Sequence, residues 1–227
     1  MKSFSSLALL ITLFYQVSLS QKLPEGYILQ YQQGFNGGHA LSDFMFDHPA
    51  SWGIFSVSGN YYLQCTGATD STAKTTLPAN IAILKNKIFG DFILEVNVMP
   101  EADSNGFRET CLFLGMKDQT MYYYIQLASR CDSGNHGIFM VKDSIVSRLT
   151  GASEQPVTWK DTRWHKLRLE RNIVKRTILI FVDDMTHPAL QIKDYELVMG
   201  MVGFGSFSSP VRFDNLKIWA PTVISNE

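Results

Sequence analysis

Tyr122, Tyr124 and Gln126 occupy alternate positions in the run Tyr122–Ala128, so an extended backbone turns all three to one face. Glu95 and Asn97 share a face in the same way within Phe92–Val98. Tyrosine rings beside amides and cations are the equipment of a sugar platform: ring faces cover apolar C–H patches while polar groups bond hydroxyls. Asn97, Arg108, Tyr122, Gln126 and Lys142 are the binding candidates on this reading. His136, in Gly134-Asn135-His136-Gly137, lies at a turn before a strand, with Arg130 and Lys142 near it in sequence. A catalytic set of His136, Tyr124 and Arg130, with Glu95, suits β-elimination on an acidic polysaccharide. The arginine would neutralise a uronate carboxylate while His136 or Tyr124 takes the proton alpha to it. A plainer reading stands beside this one: tyrosine is favoured in strands for its packing, and His136 serves the backbone of its own turn.

Asp214 and Asn215 are candidate oxygen ligands for a structural calcium; the alternative is that Asp214 satisfies a strand-end backbone. No other cofactor is expected. Cys65, Cys111 and Cys131 allow at most one internal disulfide. Cys111–Cys131 is favoured because the two flank a strand, and three buried thiols are the alternative. The chain has no CxxC or Cys/His cluster, phosphate-cradling glycine loop, nucleophile elbow or HExxH. His39, His48 and His187 fall in polar loops, and His165 lies within a strand and is read as structural.

The elements that must carry these residues are strands. Short runs rich in Val, Ile, Phe, Tyr and Thr recur between Gly, Asn, Asp, Ser and Pro, and helical periodicity is almost absent. Strands are expected at 53–57, 61–65, 73–77, 91–99, 109–115, 122–128, 137–141, 164–171, 177–182, 200–206 and 211–219. Phe92, Leu94, Val96 and Val98 oppose Ile93, Glu95 and Asn97, and Leu167 and Leu169 oppose Lys166, Arg168 and Glu170. That half-buried pattern predicts an all-β, two-sheet antiparallel β-sandwich of the jelly-roll type.

Lys2, the apolar run Leu7–Tyr15 and the small residues Ser18 and Ser20 read as a signal peptide over residues 1–20, with Gln21 as the mature N-terminus. The apolar run is shorter than the ~20 residues a bilayer span needs. The mature chain is expected to be soluble, exported and one domain over 21–227. Net charge is −1 with 18% charged residues, which argues against nucleic acid as a partner.

Several motifs then carry a resemblance. Phe89-Gly90-Asp91-Phe92-Ile93-Leu94-Glu95-Val96, Trp164-His165-Lys166-Leu167-Arg168-Leu169-Glu170-Arg171 and Thr177–Asp184 resemble strands of concanavalin A-like lectin/glucanase domains. So do Gly200–Ser206 and Val211-Arg212-Phe213-Asp214-Asn215-Leu216-Lys217-Ile218. The pattern is also similar to laminin-G-like domains and to secreted bacterial domains named for 3-keto-disaccharide hydrolysis. The resemblance implies a concanavalin A-like jelly roll whose ligand lies across the concave sheet. Glucanases of this superfamily place a third carboxylate after an E-x-D pair. Here Glu101 and Asp103 are followed by Gly106 at that place, so their retaining mechanism is not implied. The expected function is binding or processing of a polysaccharide or oligosaccharide. A polysaccharide lyase, a glycosidic-bond hydrolase and a laminin-G-like protein-binding domain are the alternatives, and oligomeric state is left open.

Overall fold

The computed structural model describes residues 22–67, 77–103, 105–132, 134–151, 155–159, 162–221 and 223–224. The expected signal peptide and residues 73–76 of the expected strand 73–77 lie outside the described residues, and Leu77 is not in a strand. In chain order the strands are β1 (Ile28–Gln33), β2 (Phe44–Phe46), β3 (Trp52–Val57), β4 (Asn60–Cys65), β5 (Asn80–Leu84), β6 (Ile88–Phe89), β7 (Phe92–Pro100), β8 (Glu109–Asp118) and β9 (Met121–Ala128). They continue as β10 (Gly137–Lys142), β11 (Ile145–Arg148), β12 (His165–Asn172), β13 (Thr177–Val182), β14 (Leu190–Lys193), β15 (Met201–Ser206), β16 (Val211–Ala220) and β17 (Val223–Ile224).

Sheet A runs β14-β13-β12-β7-β16-β4-β3, with β1 also paired to β16. Sheet B runs β11-β10-β9-β8-β15-β5-β2, and β17 pairs with β6. The pairings are antiparallel throughout. The all-β sandwich expected from the sequence is therefore the architecture found. No helix among the described residues is long and apolar enough to cross a membrane.

Period-2 side-chain alternation explains how the layers meet. Leu94 and Val96 of β7 sit opposite Leu169 and Leu167 of β12, all four on the inner face of sheet A. Leu112, Leu114, Tyr123, Ile125 and Leu127 meet them from sheet B. At the other side of the core an aromatic group joins both sheets: Phe204 lies 4.4 Å from Phe213, 5.4 Å from Phe44 and 6.2 Å from Trp52, between ring centroids.

Candidate functional site

Sheet B is apolar on both faces. Its outer face, turned away from sheet A, carries a second cluster that includes Ile81, Ile83, Cys111, Phe113, Tyr122, Tyr124, Phe139 and Val141. A sheet face in water normally alternates to polar side chains, so packing of the sandwich does not account for this layer. Strand register sets its rows. Phe113, Tyr124, Phe139 and Arg148 lie across β8, β9, β10 and β11. Cys111, Gln126 and Gly137 form the adjoining row.

Tyr124 and Phe139 stack with centroids 4.8 Å apart and planes 8° from parallel. Phe207, on the connection between β15 and β16, meets the Tyr124 ring edge-on at 5.8 Å. Tyr122 and Tyr124 are 2% and 1% exposed, so the rings are covered. Neither hydroxyl hydrogen-bonds a described residue. Burial, and after it the neighbouring Cys111, pushes both phenols well above their ordinary range. At neutral pH they are hydrogen-bond donors and not bases. Beside them, Gln126 reaches Asn135 Oδ1 through Nε2 at 3.5 Å, while its Oε1 is buried with no hydrogen-bond partner among the described residues.

Two ionisable groups frame the layer. Glu109 Oε1 accepts the backbone N–H groups of Phe207, Ser208 and Ser209 at 2.9, 3.1 and 3.1 Å. Its Oε2 accepts the Cys111 thiol at 3.7 Å. Desolvation outweighs these four donors and raises the carboxyl from 4.5 to about 7. Burial first, then the Glu109 charge, holds the Cys111 thiol well above its usual value. At the opposite border Arg148 donates to the carbonyls of Asp132, Asn135, His136, Thr150 and Gly151. Its Cζ lies 5.5 Å from the centre of the Phe139 ring. This arrangement explains Gly137: a Cβ there would stand 2.6 Å from Thr150 Oγ1 and 3.2 Å from Arg148 Cζ.

Of the residues expected to act together, the outer face of sheet B assembles Tyr122, Tyr124 and Gln126, and the rest lie off that face. His136 is fully buried, and its Nδ1 accepts the Ala128 N–H at 3.3 Å. Burial, followed by the Arg148 charge, lowers the imidazole to about 4. It is a neutral ring that fixes the β9–β10 connection. Glu95 and Asn97 lie on the outer face of sheet A, across the sandwich from Tyr124, because Leu94, Val96 and Val98 take the inner face. Glu95 is spent on ion pairs with Lys166 at 2.7 Å and Arg168 at 2.9 Å, and Arg168 also meets Glu170 at 2.5 Å. The expected convergence of Glu95, Tyr124, Arg130 and His136 in one cleft does not occur.

Arg130 donates to the Asn105 carbonyl and sits 5.7 Å from the Phe107 ring centre. Arg108 donates to the Pro100 carbonyl, and Lys142 pairs with Glu196. The favoured Cys111–Cys131 disulfide is also corrected, since all three cysteines are thiols. Cys111 faces Glu109 in the middle of sheet B, whereas Cys131 follows the end of β9 and lies against the His136 carbonyl and Arg148. Asp214 accepts from the Asn215 backbone and from the side-chain amides of Asn60 and Asn215 at a break in the β16 register. No group of three or more His, Cys, Asp or Glu side chains that could hold a metal occurs among the described residues.

The sequence reading passed over Glu109, whose only signal was sharing strand parity with Cys111 and Phe113. It also passed over a cavity of ≈ 380 Å³ lined in part by His165 and Asp183. There, His165 Nδ1 lies 2.7 Å from Asp183 Oδ2, and Asp183 Oδ1 accepts the Lys166 N–H at 2.9 Å. The pair ties β12 to the turn after β13, in keeping with a structural His165.

No protein-family model and no curated protein sequence matches the chain. Solved structures do. The carbohydrate-binding module CBM66 from Bacillus subtilis superposes with a TM-score of 0.55 at 13% identity, covering 78% of this chain and 96% of that one. Peanut lectin gives 0.55 at 9% identity, covering 88% and 99%. Domain 4 of AbnA, an extracellular arabinanase from Geobacillus stearothermophilus solved with arabinotriose, gives 0.51 at 10% identity, covering 88% and 95%.

Proposed function

For a chain with the concanavalin A-like jelly-roll fold, we propose binding of a polysaccharide or oligosaccharide at the outer face of sheet B by an exported protein. One observation carries the proposal: a buried, unpartnered amide oxygen, Gln126 Oε1, beside a stacked tyrosine–phenylalanine pair. Buried polar atoms are almost always hydrogen-bonded, and sugar hydroxyls are donors of the right kind to complete this one. Aromatic rings supply the complementary surface for the sugar's C–H faces. The neighbouring carbohydrate-binding module and the arabinotriose-bound domain lend support through fold alone. Because the rings are covered, binding requires the Phe207 segment that lies on Tyr124 to move aside.

Binding without turnover is favoured over elimination. The phenols stay protonated, His136 is buried with its Nδ1 held by the Ala128 N–H, and Glu95 lies on the far sheet from the tyrosines. The test is calorimetric titration of the purified chain with neutral and uronate-containing polysaccharides, followed by assay for new reducing ends and unsaturated uronate. Saturable binding with neither product is expected, and the exported chain should begin at Gln21 by intact mass. Unsaturated product would replace the proposal with a lyase, reducing sugar alone with a hydrolase. Absence of glycan binding together with capture of one protein would favour an adhesion domain.

A further inference from the structure

Among the described strands the two principal sheets expose five edges, and four are guarded against pairing with another strand. β1 is broken by a register shift between Leu29 and Tyr31. β2 is three residues long. β11 and β14 are four residues each and end in Arg148 and Lys193. Short length, irregularity and edge cations are the devices that keep sheet edges from associating.

β3 has none of them. Its six residues, Trp52-Gly53-Ile54-Phe55-Ser56-Val57, contain no charge and no proline. Its register with β4 is unbroken from Trp52 to Val57, and among the described strands it pairs with β4 alone. Phe55 and Val57 are 43% and 56% exposed, and Tyr61 on the adjoining strand is 44% exposed. Ile54, on the inner face, packs against the core from the rim.

We propose that β3 is a self-association edge, at which two copies of this chain pair antiparallel about a two-fold axis through Phe55. The strand is self-complementary in that register. Phe55 falls opposite its own copy, Val57 opposite the side-chain-free Gly53, and Ile54 opposite the small Ser56. A two-fold perpendicular to the sheet needs this even register, because a one-residue slip would set inner-face residues against outer-face ones. The axis also places the two Phe55–Tyr62 pairs, each with centroids 6.5 Å apart, on the same side of one continuous sheet. A single six-residue edge buries less than the roughly 800 Å² per partner of a standard interface. The dimer is accordingly weak, forming only in the high-micromolar range of protein concentration.

Sedimentation velocity on the purified chain across that range tests the proposal. The weight-average mass is expected to rise towards twice the monomer value. Phe55→Lys and Val57→Lys, both at exposed positions and checked for an unchanged melting temperature, should each hold the chain as a monomer. Under oxidation, Phe55→Cys should cross-link far more than wild type, whose three thiols set the background, and Val57→Cys should not, since that residue faces Gly53 and not its own copy. A monomer throughout, or a dimer indifferent to both lysine variants, overturns the proposal. Efficient cross-linking of Val57→Cys in place of Phe55→Cys overturns the two-fold at Phe55.

Discussion

Glu109→Gln is expected to gain stability relative to wild type as pH rises from 4.5 to 8, by an amount on the order of 3 kcal/mol. The sign follows from linkage. The Glu109 carboxyl titrates near 7 when folded against 4.5 in the reference state, so the folded chain holds this proton more tightly. Its contribution to stability therefore falls as pH rises from 4.5 to 7 and is level above that. His136 does the opposite. Its imidazole is lowered from 6.5 to about 4, so its contribution falls as pH drops from 6.5 towards 4. Between pH 4.5 and 6.5 the two slopes cancel, and wild type should look almost pH-independent with respect to this pair. Urea denaturation at several pH values exposes the components. Glu109→Gln leaves the His136 slope, about 1.4 kcal/mol per pH unit, and its stability should climb from pH 4.5 to 6.5. His136→Gln leaves the Glu109 slope and should lose stability up to pH 7. A pH-invariant difference between Glu109→Gln and wild type would mean that Glu109 is ionised at its ordinary pKa.

Phe204→Ala should cost about 3–5 kcal/mol, with an unchanged denaturant slope. Phe204 is 1% exposed and touches aromatic rings from β2, β3 and β16. Its removal opens a cavity bounded by Phe44, Trp52 and Phe213, which belong to both sheets and cannot collapse without shifting a strand. The loss is a large share of the roughly 5–15 kcal/mol that stabilises a domain. Val174→Ala, at a position 88% exposed, should change stability by less than about 0.5 kcal/mol. A loss below about 1.5 kcal/mol for Phe204→Ala would show that the aromatic group is not the joint between the sheets.

The strands that were legible in the sequence are those with local alternation. β7 and β12 showed their inner faces directly, and the parity of Tyr122, Tyr124 and Gln126 in β9 was correct as read. β5 was not legible, because all five of its residues are buried and no alternation survives. β1 carries three glutamines and a bulge, and β11 and β14 are four residues each. The larger gap concerned the site. Parity tells which residues of one strand share a face, but sheet membership depends on pairing between distant segments. Glu95 and Tyr124 each point outward on their own strands, yet β7 lies in sheet A and β9 in sheet B. Glu109 escaped notice for a related reason: its donors come from residues 207–209, about a hundred positions along the chain.

The central claim is that carbohydrate binds the outer face of sheet B. Its most direct test is calorimetric titration of four proteins with the best-binding oligosaccharide: wild type, Gln126→Met, Tyr124→Phe and Glu95→Gln. Gln126→Met removes the orphaned acceptor and Tyr124→Phe one unpaired hydroxyl, each with little change in packing volume. Each should weaken binding by about tenfold, the loss of one well-formed hydrogen bond, while Glu95→Gln on the far sheet leaves affinity unchanged. Full affinity in both sheet B variants, or a loss confined to Glu95→Gln, would contradict the assignment.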